Sequence, residues 1–317
     1  MEYRNLGRSG LQVSVVGLGC NNFGMRIDQD ATTAVVNQCF ESGVNFFDTA
    51  DVDGNRGLSE EYLGKALGDR RKDVIVATKF AMQMGDSPMM SGGSRRYIMS
   101  AVDASLRRLG TDYIDLYQMH RPDPKTPIEE TISALDDLVT AGKVRYIGHS
   151  NYAGWQTAEA HFVAQAKNKT AFITAQNEYN LLNRSIETEL VPACNAYNVS
   201  VLPFFPLASG FLTGKYVKGE APAEGTRLAA WGPRAAGTLN DKNFDTLAGL
   251  SSFAEARGKT MLDLAMSWLA SLPYVGSVIA GATKPEQVTQ NAAAGGWRLT
   301  AEELAEVDTI TKPAKAR

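Results

Sequence analysis

The chain has 317 residues and a formal net charge of −3, with acidic and basic residues interspersed, so no basic stripe indicates a nucleic-acid partner. No apolar run approaches the roughly 18 residues of a membrane span, and the N-terminus lacks the apolar core of a signal peptide, so we expect a cytoplasmic protein with no membrane partner. Three separated cysteines and three histidines argue against a disulfide scaffold or a metal centre, which leaves a small molecule as the expected partner.

Short apolar runs alternate with helical stretches along the chain. A hairpin is predicted over Tyr3–Val16, turning at Ser9–Gly10. The predicted barrel strands are Val13–Gly19, Asn45–Ala50, Val74–Phe80, Tyr113–His120, Val144–Ser150, Ala171–Asn177, Val199–Pro206 and Gly276–Gly281. Most are near-continuous apolar runs, as expected of parallel strands buried on both faces. The eight units predict an α/β fold, a single (β/α)8 TIM-barrel domain over residues 1–317, with an open doubly wound sheet as the alternative.

Helical periodicity lies between the strands. Arg96–Leu109 and Pro127–Lys143 each place apolar side chains on one face, and Gly142 is expected to end the second helix. Thr300 and Glu303 form a capping-box pattern that opens a terminal helix.

Two segments break the repeat. Ala81–Ser94 carries four methionines without a clear period, and Ala208–Asn243 is rich in Gly, Pro and Ala. Loops this long in a compact domain are usually functional or disordered. Both follow predicted strands, so in a barrel they lie on its C-terminal face, where barrel enzymes hold their active sites. We expect them, with Asn21–Met25 and the C-terminal tail, to determine substrate specificity.

Polar side chains recur at the C-terminal ends of the predicted strands. Asp48 ends the second strand, Lys79 the third and His120 the fourth, while Ser150–Asn151 and Gln176–Asn177 end the fifth and sixth. Each residue alone has a structural explanation, such as a turn cap or a hydrogen-bonded core histidine. Together they would surround one mouth of a barrel, so we predict that this mouth is the active site.

Motifs over residues 17–291 resemble those of the aldo-keto reductase family. Residues 46–67, FFDTADVDGNRGLSEEYLGKAL, are similar to its signature Asp-Thr-Ala-x-x-Tyr-Gly followed by Ser-Glu. VATKF and LYQMHRPD resemble its lysine and histidine strands, IGHSNY its Ser-Asn strand, and AQNEYNLL, PLASGFLTGKY and AGATKPEQVTQN its later cofactor segments. The resemblance implies a barrel that binds NADP(H) and exchanges a hydride with a small carbonyl compound or alcohol, as a monomer or weak homo-oligomer.

The resemblance also implies catalytic roles. In the family a Tyr donates a proton to the carbonyl oxygen, a Lys paired with an Asp lowers the pKa of that Tyr, and a His orients the carbonyl. By position, Asp48, Lys79 and His120 match the Asp, the Lys and the His.

Asp53 occupies the family's Tyr position in this chain. Tyr62 lies within a predicted helix, and strand alternation points Tyr117 out of the barrel, so neither is an obvious substitute. Either the chain is an engineered variant, which the intact surrounding motifs favour, or it is a natural member with altered chemistry. A free Asp titrates near ~3.9 and Lys79 should lower that pKa further, so we predict impaired carbonyl turnover with Asp53 as a poor proton donor.

The cofactor residues are also implied by the resemblance. Ser150, Asn151 and Gln176 would hold the carboxamide, whose donors and acceptors they can satisfy. Further matches are Gly19, Cys20 and Asn21 after the first strand, Phe205 beside the ring, Leu207, Ser209, Gly210 and Lys215 along the pyrophosphate, and Gly281, Thr283, Gln287 and Asn291 towards the adenosine. We expect Thr283 at a helix N-terminus, where an anion is favoured. Arg227 and Lys284 are candidate partners of a 2′-phosphate, which favours NADP over NAD, although Lys284 could equally be a surface residue.

The sequence leaves two other functions open. A nicotinamide-binding sensor or regulatory barrel is favoured by the absent Tyr and opposed by the intact Asp, Lys and His. An isomerase on an unrelated barrel would have no nicotinamide site. Steady turnover, as opposed to tight binding without turnover, distinguishes an oxidoreductase from a sensor.

Overall fold

The chain begins with an antiparallel hairpin, β1 (Tyr3–Asn5) and β2 (Gln12–Ser14), in the computed structural model, which describes residues 1–312. The barrel strands are β3 (Val16–Gly19), β4 (Phe46–Asp48), β5 (Ile75–Phe80), β6 (Ile114–Met119), β7 (Val144–Ser150), β8 (Thr174–Glu178), β9 (Ser200–Phe204) and β10 (Val278–Gly281). They pair in parallel in the order β10-β3-β4-β5-β6-β7-β8-β9.

Backbone hydrogen bonds close the barrel between its last two strands. The N–H of Val201 donates to the Tyr274 carbonyl at 2.8 Å, and the N–H of Gly276 donates to the Val201 carbonyl at 3.0 Å. The (β/α)8 prediction is therefore confirmed, and the open-sheet alternative is wrong.

The predicted first barrel strand is in fact two strands. Tyr3 pairs with Ser14 in the antiparallel hairpin, whereas Val16 pairs in parallel with Val278. The chain leaves one ladder and enters another around Val15, a change that the continuous apolar pattern could not show. The hairpin itself was predicted correctly.

Helices surround the barrel. They are α1 (Gln29–Glu41), α2 (Asp53–Leu67), α3 (Arg95–Leu109), α4 (Ile128–Thr140), α5 (Gly154–Ala166), α6 (Leu190–Tyr197), α7 (Arg227–Trp231), α8 (Asp241–Glu255), α9 (Met261–Ser271), α10 (Pro285–Ala294) and α11 (Ala301–Thr311). The predicted capping box opens α11, because Thr300 and Glu303 each accept a bond from the other's backbone N–H. Within residues 1–312, no helix is long and apolar enough to cross a membrane.

Strand alternation places the polar residues above an apolar floor. Phe46, Ala77 and Leu116 belong to one buried cluster with Leu6 and Val13 of the hairpin segment. Since side chains two apart along a strand share a face, the residues two positions after Phe46, Ala77 and Leu116 lie on the same side, nearer the C-terminal mouth. The hydrophobic core thus supports the polar site from below.

The two long segments differ in regularity. Residues 81–94 form no helix or strand, whereas residues 208–243 contain α7 and short 3-10 turns. The end of the C-terminal tail, residues 313–317, lies outside the described residues, so its predicted part in specificity stays a prediction.

Candidate active site

A cleft of about 1000 Å³ opens at the C-terminal ends of the barrel strands. The sequence-predicted residues that line it are Gly19, Cys20, Asn21, Asp48, Asp53, Lys79, His120, Ser150, Asn151, Gln176, Phe205, Leu207, Ser209, Gly210, Lys215, Arg227, Gly281, Thr283, Gln287 and Asn291. Lys284 does not line the cleft and instead occupies the N-cap of α10. Nearly all the candidates are therefore brought together, although they come from positions across the chain.

A buried ion pair lies at the base of the cleft. Lys79 Nζ donates to Asp48 Oδ2 at 2.6 Å and to the Thr49 carbonyl at 2.9 Å. Asp48 Oδ1 accepts from the side-chain amides of Gln176 at 2.8 Å and Gln118 at 3.2 Å. Buried charges are tolerated when they are paired and hydrogen-bonded in this way. The ammonium is consequently fixed in position, and its charge is balanced by Asp48.

His120 lies beside this pair at the end of β6. Its backbone N–H donates to the Phe80 carbonyl at 2.9 Å, and within residues 1–312 its buried Nδ1 has no hydrogen-bond partner. Burial, with the nearby charges of Lys79 and Arg121, lowers the pKa of His120 to about 3. The imidazole is therefore neutral at physiological pH, and can give or accept one hydrogen bond with a polar group in the cleft.

Asp53 lines the cleft and is held in place by an unusual turn. It is the first residue of α2, but the next four residues have positive φ, so regular right-handed geometry starts only at Leu58. A Cβ on Gly54 would collide with the Ser59 nitrogen and the Phe23 carbonyl oxygen, so this position requires glycine. Within residues 1–312, the Asp53 carboxylate has neither a side-chain hydrogen bond nor an ion pair.

The pKa of Asp53 is raised to about 6, mainly by burial, with smaller increases from Asp48 and Glu60 and a decrease from Lys79. The sequence-based expectation that Lys79 would lower this pKa overall was wrong. Lys79 does act in that direction, but desolvation of the carboxylate outweighs it. Lys79 also forms its ion pair with Asp48, which limits the stabilisation it gives to Asp53.

Ser59 and Glu60 explain structurally why the motif continues with Ser-Glu. The Ser59 hydroxyl donates to the Cys20 carbonyl at 2.8 Å and lies 2.7 Å from the Thr49 hydroxyl. The fully buried Glu60 accepts from Thr78 at 2.5 Å and from Arg108 at 2.6 Å. These contacts tie the start of α2 to the ends of the neighbouring strands, and so position Asp53.

Amide side chains continue the cleft past His120. Asn151, in left-handed geometry with φ 60°, donates from Nδ2 to the His120 carbonyl and to the Ser150 hydroxyl, both at 2.9 Å. The Gln176 amide nitrogen is used on Asp48, which leaves its oxygen to accept from a ligand. These amide side chains therefore help to hold the Lys79–Asp48 ion pair in place and present polar atoms to the cleft.

A run of positive φ follows β9. Phe205, Ala208 and Ser209 have φ of 52°, 45° and 59°, and Gly210 has 89°. A Cβ on Gly210 would lie 3.0 Å from Lys215 Nζ. Strained backbone of this kind is concentrated at ligand sites. Here it brings the ammonium of Lys215 close to the main chain in the wall of the cleft.

Two arginines connect opposite walls of the cleft. Arg227 at the start of α7 donates to Asn22 Oδ1 at 3.1 Å, and its guanidinium carbon lies 5.5 Å from the centre of the Phe205 ring. Arg26 donates to the Gly225 carbonyl at 2.9 Å. Among the described residues, neither arginine makes an ion pair, so this end of the cleft carries uncompensated positive charge.

The segment before α10 forms the far end of the cleft. Thr283 lies two residues before Pro285, the first residue of the helix, and its N–H and hydroxyl both donate to Gln287 Oε1, at 2.8 and 3.2 Å. Thr283 is therefore just outside the helix rather than at its first residue, and Lys284 is the N-cap.

Some features of the site were not found from the sequence. Gln118 supports Asp48 and could have been found, because it lies two residues before His120 and shares its side of β6. Asn177 was wrongly grouped at the mouth: it does not line the cleft and donates to the Tyr152 carbonyl at 3.2 Å. Tyr117 points away from the barrel interior as predicted, with its ring stacked on Phe80 in the outer core cluster.

Comparisons with known proteins agree with this architecture. The sequence model of the Aldo/keto reductase family matches residues 15–312. The chain is 40% identical over 297 residues to a probable voltage-gated potassium channel subunit beta of Oryza sativa subsp. japonica, covering 92% of this chain and 90% of the relative. It is 35% identical over 321 residues to an L-glyceraldehyde 3-phosphate reductase of Escherichia coli K12, covering 97% and 92%. It is 33% identical over 317 residues to the aldo-keto reductase YhdN of Bacillus subtilis, covering 98% and 93%. The chain therefore belongs to the aldo/keto reductase family.

Proposed function

We propose that the protein is an oxidoreductase that transfers a hydride between NADP(H) and a small aldehyde or ketone, or the corresponding alcohol. The observation that carries this proposal is one continuous cleft, with Asp48, Lys79 and His120 at its base and, along its wall, cations that form no ion pair with any described residue. Relatives named as reductases support the same reaction class.

The charges of the cleft fit a phosphorylated dinucleotide. Lys215, Arg26 and Arg227 make no ion pair within residues 1–312, and a pyrophosphate with a 2′-phosphate would supply the missing anions. Ser150, Asn151 and Gln176 would hold the carboxamide, and Phe205 would lie near the ring. When bound, NADPH supplies the hydride.

The chain's own residues would orient the carbonyl group and handle the proton. His120, neutral because of its lowered pKa, would donate a hydrogen bond to the carbonyl oxygen. Lys79, fixed on Asp48, would place positive charge near the developing oxyanion. Asp53 stands where the family motif places the proton donor, and because it is mostly charged at neutral pH it would be an inefficient acid.

The cofactor proposal is tested by titrating NADPH and NADH against the Arg227→Ala and Lys284→Ala variants. Arg227 lines the cleft, so its loss should weaken NADPH by about tenfold or more, and NADH much less, as expected for a charge-assisted contact to a phosphate. Lys284→Ala is the matched control and should change neither affinity. Equal losses for both cofactors would remove Arg227 from the 2′-phosphate site, and failure of the unmodified protein to bind either cofactor would overturn the proposed function.

A nicotinamide-binding sensor is the second candidate, because the cleft holds the charged carboxylate of Asp53 and one relative is named as a channel subunit. Such a protein would bind NADPH tightly and turn over poorly. Single-turnover oxidation of bound NADPH by a panel of aldehydes and ketones distinguishes the two candidates. Rapid oxidation of one NADPH per protein molecule supports the oxidoreductase, and no oxidation of the bound NADPH supports the sensor.

A further inference from the structure

We propose that Asp53 adapts this site to a cationic substrate, a protonated imine, rather than to a neutral carbonyl compound. This inference rests on the proposed function, because it takes the hydride donor to be NADPH. It concerns the acceptor, and it is carried by a carboxylate that faces the cleft without a partner in the described part of the chain.

The local charge balance favours a cation. Lys79 is neutralised by Asp48 at 2.6 Å, and His120 is neutral. Once these groups are counted, the ionised Asp53 leaves one net negative charge at the base of the cleft. A protonated C=N group would neutralise it, because an ion of opposite charge stabilises a partly desolvated carboxylate.

The same charge opposes carbonyl reduction. Hydride addition to a carbonyl carbon creates an alkoxide, and a neighbouring carboxylate raises the energy of that developing anion. An iminium ion presents no such problem, because its charge disappears as the reaction proceeds. Asp53 would assist by increasing the protonated fraction and the occupancy of the imine, not by donating a proton.

The reaction balances without any further reactant. The hydride forms a new C–H bond at the iminium carbon, and the electron pair of the C=N π bond moves to nitrogen. The imine is reduced to a neutral amine that keeps the proton already on its nitrogen, and NADPH is oxidised to NADP⁺. No proton donor is required at the step, which suits a site whose nearest acid is largely ionised.

The ionisation of Asp53 gives the proposal a pH dependence. The charged groups that shift the pKa of this carboxylate are Lys79 on β5, which favours the charged form, with Asp48 on β4 and Glu60 on α2, which oppose it. The neighbouring Cys20 after β3 is fully buried, and its own pKa is raised. Since the pKa of Asp53 is about 6, attraction for a cation should be present above pH 7 and should weaken towards pH 5.

A matched pair of ligands tests the charge preference without turnover. 1,2,3,4-Tetrahydroisoquinoline is a cation at neutral pH, and isochroman is a neutral ether of the same shape. We expect calorimetry on the NADPH-loaded protein at pH 7.5 to show the cation binding about tenfold more tightly, a preference that Asp53→Asn abolishes and a shift to pH 5 largely removes. Equal binding of the two ligands, or a preference that survives Asp53→Asn, would overturn the proposal.

Asp263→Asn provides the control variant. This residue also lines the cleft, but its carboxylate already accepts bonds from the Thr260 backbone at 2.9 Å and the Thr260 hydroxyl at 2.7 Å. Removing that charge should leave the cation preference intact. If Asp263→Asn abolished the preference as well, the effect would belong to the general potential of the cleft and not to Asp53.

Turnover separates this inference from the proposed function. With NADPH, the unmodified protein should reduce 3,4-dihydroisoquinoline with a kcat/KM at least about tenfold above that for a cyclic ketone of similar size, and Asp53→Asn should remove most of the difference. Ketone reduction that exceeds imine reduction would overturn the inference while supporting the proposed function. Absence of NADPH binding would overturn the proposed function and the reductive step of this inference, whereas calorimetry on the cofactor-free protein would still test the charge preference.

Discussion

At the scale of single residues, the chemistry depends on how far each charged group is removed from water. Lys79 and Asp48 neutralise each other's charge, with 2.6 Å between Lys79 Nζ and Asp48 Oδ2. Asp53 has no such partner within residues 1–312, and burial raises its pKa to about 6. About a tenth of the Asp53 side chains would then carry a proton at pH 7, more than a free aspartate would but far less than a tyrosine. The site is therefore better suited to acid catalysis at low pH than at neutral pH.

Replacing Asp53 by Tyr should raise kcat/KM for NADPH-dependent carbonyl reduction by at least about tenfold at pH 7. The phenol would be protonated, would reach further into the cleft and would remove the negative charge, and general-acid help is typically worth about a hundred- to ten-thousandfold. In the unmodified chain, the proposed carbonyl reduction would use the protonated carboxyl of Asp53, so its rate should rise as the pH falls from 8 to 5, with a midpoint near 6. The measurement is kcat/KM against pH for both proteins.

The control for this prediction is Tyr62→Phe, which removes a phenol from α2 outside the cleft and should leave the profile unchanged. Equal kcat/KM values for the Asp53→Tyr variant and the unmodified chain, on a substrate that one of them clearly reduces, would show that position 53 is not the proton-donor position.

At the scale of elements, the segment after β9 forms much of the proposed phosphate region. Its backbone turns through positive φ at Ser209 and Gly210, and later through a further glycine, Gly219, with φ 84°. The two glycines have different surroundings: a Cβ on Gly210 would meet Lys215 Nζ at 3.0 Å, whereas a Cβ on Gly219 has nothing within 4 Å. A comparison of alanine substitutions at the two glycines can therefore distinguish the effect of backbone strain from a direct effect on Lys215.

Gly210→Ala should weaken NADPH binding by roughly tenfold, because the new methyl group would displace the Lys215 ammonium from its place beside the main chain. Gly219→Ala is the matched control. It carries a comparable left-handed strain without touching Lys215, so it should lower the melting temperature to a similar extent but change the dissociation constant little. Equal effects of both variants on NADPH affinity would assign the loss to strain and contradict a specific role for Lys215.

At the scale of the whole molecule, a second buried acid, Asp51, makes the stability of the fold depend on pH. Asp51 is almost fully buried, accepts a bond from the Tyr97 hydroxyl at 3.2 Å, and has one oxygen without a partner within residues 1–312. Burial, with the nearby Glu60, raises the pKa of Asp51 to about 8. Its pKa in the unfolded chain is near ~3.9, so between pH 4 and pH 8 the folded state binds more protons and loses stability as the pH rises.

Asp51→Asn should therefore stabilise the protein at high pH. We expect its melting temperature to exceed that of the unmodified chain by roughly 2–4 °C at pH 8.5, and by less at pH 5.5, where Asp51 is already neutral. The exposed Asp86→Asn serves as the control for a general change in charge and should show no such pH-dependent gain. A constant difference between the two pH values would contradict the raised pKa of Asp51.

The sequence by itself determined the barrel and the face that carries the site. Strand alternation is a local property: residues two positions apart on a strand share a face. Asp48 therefore lies on the same face as Phe46, and Lys79 on the same face as Ala77, whichever strands are neighbours. The motif resemblance then associated these positions with a reductase, and the family match supports that association. Asn177 shows the limit of the argument, because the end of a strand has two sides and only one faces the cleft.

Only the tertiary structure decided the electrostatics of the site and the contacts between the walls of the cleft. Near Asp53, the sequence revealed the neighbouring charge of Lys79 but not the desolvation that reverses the direction of the pKa shift. Arg227 reaches Asn22 across the cleft although 205 positions separate them, whereas Lys284 lies outside the lining. Burial and contacts between distant segments exist only once the chain has folded, because they depend on which surfaces lose water together.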